Sequence, residues 1–127
     1  MSRITFPVVA SLLAVSLLAG CGKRVTVEDE AAALYEKADE VAKAGNQQQA
    51  LELLGQSIAK KPASWNYLKR ARLHMDLGNE SAALDDCNAG LQLDPQDTDL
   101  QWLSAELKKP KKTRFKGAAS EPPSASK

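Results

Sequence analysis

From Ala31 onward, small and apolar residues return every three or four positions, and the whole arrangement returns again 33 residues later. Gly45 maps onto Gly78, Asn46 onto Asn79, Ala50 onto Ala83, Leu51 onto Leu84, Ile58 onto Leu91 and Pro62 onto Pro95. A self-match at this period predicts stacked supersecondary units that share one continuous core. Each unit reads as two helices. In the second, Tyr67, Ala71, His74 and Met75 fall on one face of a first helix, and Ala83, Leu84, Cys87 and Leu91 on one face of a second. Gly78 can take the positive φ that ends a helix, and Asn79 suits the tight turn after it. Pro95 has no N–H and biases Asp94 away from helix, so the second helix stops before it. Small residues at Ala71, Ala83 and Gly90 allow helix backbones to approach closely. Thr26, followed by Val27, Glu28, Asp29 and Glu30, offers an N-cap hydroxyl and three acids where the helix dipole favours negative charge. Leu100, Leu103, Ser104 and Leu107 continue the frame as the inner strip of a fifth helix.

The second unit resembles a tetratricopeptide repeat through Tyr67-Leu68-Lys69-Arg70-Ala71, Leu77-Gly78-Asn79, Ala82-Ala83-Leu84-Asp85-Asp86-Cys87 and Leu91-Gln92-Leu93-Asp94-Pro95. The first unit fits the pattern more loosely. Leu34 replaces the usual aromatic and Lys37 a usual apolar residue, while Ala38, Gly45, Ala50, Ile58 and Pro62 keep the frame. The resemblance implies an all-α fold over residues 27–109: repeats at about 31–63 and 64–96, then a capping helix at 97–109. Two repeats and a cap make a short solenoid, so marginal stability and a binding partner or self-association that covers exposed surface are both expected. In this family the first helices line a concave groove that takes a peptide or helix. The frame puts Tyr35, Asp39, Ala42, Trp65, Leu68, Lys69, Arg72, Met75, Gln101 and Trp102 there. Trp65 and Trp102 would otherwise simply cover the ends of adjacent helices. Tyr35 and Asp39 stand where the carboxylate-clamp variant has Lys and Asn, so binding of chaperone C-termini is not carried over. Lys69 and Arg72 remain as a small basic spot able to hold one carboxylate, or as a solvated face.

The N-terminus has a different pattern. Arg3 precedes an apolar segment at residues 8–18, about ten residues and too short to span a bilayer, which needs roughly 20. The segment ends in Leu18-Ala19-Gly20-Cys21, which resembles a bacterial lipobox. The resemblance implies a signal peptide at 1–20 and a lipidated tether at 21–26, with diacylglycerol and an N-acyl chain, commonly palmitate, on Cys21. Several acyl chains hold a protein durably where one is marginal. The alternative is a signal peptide without lipid. Aspartate after the cysteine commonly retains such lipoproteins in the inner membrane; Gly22 stands there, implying the periplasmic face of the outer membrane.

Charge is segregated. Between residues 25 and 107 seven Lys and Arg face fifteen Asp and Glu (7 − 15 = −8), while residues 108–127 carry seven basic residues against Glu121 alone (7 − 1 = +6). An acidic body is a poor match for nucleic acid, so no nucleic-acid partner is expected. The stretch 110–127 is basic and then rich in Pro, Ser and Ala, and is expected to be disordered. It is either a solubilising tail or a contact for anionic lipid, the cell-wall polymer or the acidic body.

No metal, cofactor or enzyme activity is expected. With Cys21 acylated, only Cys87 remains, and it lies on an inner strip where a thiol acts as a small apolar group. His74 is the only histidine and points inward, without a companion ligand or nucleophile. Asp85-Asp86 and the Glu28 to Glu30 cluster diverge around their helices and are expected to be solvated. Glycine-rich phosphate loops, nucleophile elbows and metal-ligand spacings do not occur. The expected function is a membrane-anchored scaffold or assembly factor that binds another envelope protein, pilotin-like in one version. The alternative is a structural protein that links membrane and cell wall through its basic tail, with the repeats mediating homo-oligomer formation.

Overall fold

Thr26 starts the first helix as its residues predict: its hydroxyl accepts from the Asp29 N–H, and the Asp29 carboxylate accepts from the Thr26 N–H at 2.9 Å, a reciprocal capping box. The computed structural model describes residues 24–115. Five helices follow one another: α1 (Val27–Lys43), α2 (Gln47–Lys60), α3 (Ser64–Asp76), α4 (Glu80–Leu93) and α5 (Thr98–Lys108), with no strand among the described residues. The expected signal peptide at 1–20, Cys21 and the tail at 116–127 lie outside the described residues. Among those described, no helix is long and apolar enough to cross a membrane.

The 33-residue period is written into the helix boundaries. Gln47 and Glu80 open α2 and α4, and Lys60 and Leu93 close them, each pair separated by 33. Gly45 and Gly78, at the two intra-pair turns, have φ of 90° and 78°. A side chain there would be strained, so glycine supplies the left-handed residue that reverses the chain. Prolines 62 and 95 follow the ends of α2 and α4 at equivalent places.

The helices pack as two antiparallel pairs, α1 with α2 and α3 with α4, with α3 also against α2 and α5 against α4. Two apolar clusters fill the interior. Ala38, Ala50, Leu53, Leu54 and Leu73 join the first pair to α3. Ala71, Ala83, Cys87, Leu100, Leu103 and Leu107 join the second pair to α5. Ala38 and Ala71, and Ala50 and Ala83, are equivalent by the repeat and completely buried, and their small side chains let neighbouring helices pack closely. Leu100 and Leu103, also completely buried, contribute about 2 kcal/mol each and hold α5 against the second pair.

Two buried polar side chains in the interior are tied to backbone. Ser57 Oγ donates to the Ala31 carbonyl at 2.7 Å and lies 3.1 Å from Asn66 Oδ1, while Asn66 Nδ2 donates to the Lys61 carbonyl. Three helices are thereby fixed in register by two buried side chains.

Two sequence expectations are corrected. Asp86 is not solvated: it is buried on α4 and receives a bidentate bond from Arg70, Nε to Oδ2 at 2.9 Å and Nη2 to Oδ1 at 2.6 Å. The 33-residue frame explains it, because Asp86 occupies the position of buried Leu53, and Arg70 reaches across from α3 to neutralise it. Nor is the segment from residue 110 to 115 a loose tail. Lys111–Thr113 forms one 3-10 turn, and Arg114 Nη2 donates to the Leu107 carbonyl at 2.8 Å, satisfying a carbonyl at the end of α5.

Candidate functional site

Side chains of α1, α3 and α5 meet across neighbouring helices in one strip, with α3 between the other two. On α3, Trp65, Leu68, Lys69, Arg72 and Met75 recur at three- and four-residue spacing along one face. Tyr35 and Asp39 on α1 meet this face from one side, and Asp99 and Trp102 on α5 from the other.

At one end of the strip Tyr35 and Trp65 pack edge to face, with ring centroids 4.7 Å apart and planes at 84°. In the middle, Asp39 bridges two helices, accepting from Lys69 of α3 and pairing with Lys43 one turn along α1 at 2.5 Å. The hydrogen bonds from Lys43 and then Lys69 hold its carboxyl below the usual aspartate range. Arg72 Nη2 donates to Asp99 Oδ2 at 3.0 Å, tying α3 to α5, and Arg72 Nε is buried without a partner. Lys69 and Arg72 therefore do not stand as an open basic spot; each is engaged by a carboxylate of a neighbouring first helix.

Leu68 and Met75 line the strip while packing against the second apolar cluster, and Trp102 does the same from α5. Ala42 packs against the first cluster. Gln101 does not join the strip: its side-chain amide donates to the Pro95 carbonyl at 2.7 Å.

Trp102 has a neighbour that sequence reasoning missed. Phe115 packs edge-on against it, centroids 5.9 Å apart, and the Phe115 N–H donates to Glu106 Oε2 at 3.0 Å. Arg114 and Lys111 both pair with Glu80 at the start of α4, at 2.8 and 3.1 Å, and Lys109 pairs with Glu106. Arg114 first, then Lys111, holds the Glu80 carboxyl below the ordinary glutamate value. The segment 110–115 is thus a basic and aromatic strap folded back onto the acidic body. The alternation of basic residues ending in Phe115, beside a body of net negative charge, was the available signal.

The remaining candidates have structural surroundings. Burial pushes the Cys87 thiol up to about 11, so its nucleophilic thiolate is scarce at neutral pH. His74 Nε2 lies 3.9 Å from Asp86 Oδ2, and its Nδ1 is buried without a partner. No group of three or more His, Cys, Asp or Glu that could hold a metal occurs among the described residues. An open polar cleft lined by Gly45, Asn46, Gln47, Glu52 and Leu77 lies between the two intra-pair turns, away from the strip.

Chemically, the strip offers aromatic faces, a thioether and ion pairs that join neighbouring helices. No protein-family model matches this chain, and no curated protein matches it as a relative.

Proposed function

We propose that this chain is a lipoprotein of the bacterial outer membrane, anchored through Cys21, whose two tetratricopeptide-like repeats and capping helix form an adaptor that binds another envelope protein. One observation supports it: Tyr35 packs on Trp65, Asp39 pairs with Lys69 and Arg72 with Asp99, while Leu68, Met75 and Trp102 pack against one apolar cluster, so residues chosen from the repeat frame meet neighbours across α1, α3 and α5. The Asp39–Lys69 and Arg72–Asp99 pairs fix the spacing of those helices, so a partner meets a preorganised surface and little ordering entropy opposes binding. The mechanism is tethering: the lipid confines the adaptor to a surface and raises its effective concentration there.

The test is in-cell photo-crosslinking from a probe at Met75, with Glu52 on the exposed face of α2 as control. One protein species captured from Met75 and not from Glu52 supports the adaptor. Self-adducts alone, or nothing from either position, refute it.

A second role, linking membrane to cell wall, is favoured by the position of the strap. The chain enters at Arg24 beside the start of α1, whereas Lys111 and Arg114 sit by Glu80, at the other end of the helix pairs. Deleting residues 116–127 leaves the packed strap intact; loss of cell-wall association with the Met75 crosslink retained would establish the linking role.

A further inference from the structure

Because the helices alternate in direction, the start of α1, the end of α2, the start of α3, the end of α4 and the start of α5 share one pole of the domain. Cross-helix contacts fix this. Lys61 pairs with Glu28 at 3.0 Å and Lys60 with Glu30 at 2.5 Å, Trp65 packs on Tyr35, and a Cβ built on Gly90 would lie 3.2 Å from that of Tyr67. Four of the six exposed large apolar side chains among the described residues belong to this pole: Val25 (72% exposed), Val27 (53%), Leu93 (51%) and Trp65 (39%). Of the other two, Leu77 is at the opposite pole and Phe115 packs on Trp102.

The charges at this pole are partly matched. Glu28 and Glu30 pair with Lys61 and Lys60, Asp99 pairs with Arg72, and Arg24 adds a positive charge, while Asp29 and Asp97 are hydrogen-bonded to helix N-terminal N–H groups and keep their charge with Asp94, leaving the pole mildly acidic. An apolar surface with a small acidic excess suits a headgroup layer that is largely zwitterionic. Tryptophan in particular favours that layer.

The chain leaves the described domain at this same pole, through Arg24. If Cys21 is lipidated, as proposed above and on which this inference rests, residues 22–25 allow at most about 18 Å between the Cα atoms of Cys21 and Thr26. Held that close, the apolar pole is the part of the domain nearest the bilayer.

We infer that Val25, Val27, Trp65 and Leu93 form a docking surface for the lipid bilayer, setting the helix pairs upright on the membrane. The strip across α1, α3 and α5 then runs along the membrane normal. The intra-pair turn at Leu77 stands off by the length of α3, about 20 Å for 13 residues.

The test is depth-dependent quenching with the full-length protein, purified from membranes and reconstituted into phosphatidylethanolamine and phosphatidylglycerol vesicles containing brominated phosphatidylcholine. Trp102→Phe leaves Trp65 as the only reporter. A second form, Trp65→Phe with Trp102→Phe and Leu77→Trp, reports from the opposite pole. Intact mass and vesicle flotation are read first on each sample. Trp65 should be quenched several-fold more strongly than the Leu77→Trp reporter, and Val27→Glu with Leu93→Glu should abolish that difference while helicity by circular dichroism and flotation persist. Equal quenching of both reporters in lipidated, floating protein overturns docking while leaving the anchor standing, as does quenching that survives the double glutamate variant. An unmodified Cys21 with no flotation removes the anchor and the docking surface together.

Discussion

Gly55 and Gly90 are both helical glycines in the second helix of a pair, and replacing each with alanine separates the packing of the two halves from helix propensity. A Cβ on Gly55 would find only Arg70 Nη1, at 3.9 Å, an ordinary contact. A Cβ on Gly90 would lie 2.6 Å from Leu100 Cδ1 and 3.2 Å from Tyr67 Cβ. Leu100 of α5 is completely buried against α4, and Tyr67 Cβ moves only with the α3 backbone, so neither neighbour yields cheaply. Alanine in place of glycine gains about 1 kcal/mol of helix propensity at either site. Overpacking a filled core costs about 1–3 kcal/mol and applies at Gly90 alone. Gly55→Ala should therefore stabilise and Gly90→Ala should not. Their difference isolates the overpacking, at about 2 kcal/mol or roughly 10 °C in Tm for a domain of this size. Urea and thermal unfolding followed by far-ultraviolet circular dichroism measure both. If the two variants agree to within about 0.5 kcal/mol, α4 and α5 are not packed as closely at Gly90 as described.

Arg70→Ala strands the buried Asp86 carboxylate and should cost about 3 kcal/mol; the double variant Arg70→Met with Asp86→Leu, which restores the residue type of Leu53, should recover most of it in the same unfolding assay. The strap responds to acid. Glu80 is held below the ordinary glutamate value of 4.5 by Arg114 and Lys111, and Glu106 likewise by Lys109 and then the Phe115 N–H. A depressed carboxyl stabilises the strap above its ordinary value and loses that contribution as pH falls through the lowered one. In a Trp65→Phe background the Trp102 emission should shift below pH 4.5, and Phe115→Ala should remove the shift. Thr26→Ala breaks the reciprocal cap of α1 and should lower stability by about 1 kcal/mol in urea unfolding, whereas Thr26→Ser should be nearly neutral.

Much of this molecule was legible in the order of its residues because the information is local. Gly78 reverses the chain, Pro62 and Pro95 follow the ends of α2 and α4, and Thr26 caps α1 through contacts within a few residues of itself. The 33-residue self-match gave the helix pairing, since equivalent inner positions must meet equivalent neighbours; Ala38 and Ala71 are both buried for that reason. The strip of candidate binding residues came from the same frame. What each charge does was decided by tertiary structure alone. Lys69 and Arg72 are committed to Asp39 and Asp99, partners 30 and 27 residues away that no helical periodicity connects. Asp86 reads as a surface acid beside Asp85 until Arg70 is brought over it from the neighbouring helix. The basic run after α5 reads as a solvated tail until the antiparallel course of α4 and α5 puts Glu80 and Glu106 beneath it. Apolar periodicity specifies which face of a helix is inside; an ion pair forms only where two separately specified helices deliver opposite charges within a few ångströms, and that distance is set by packing.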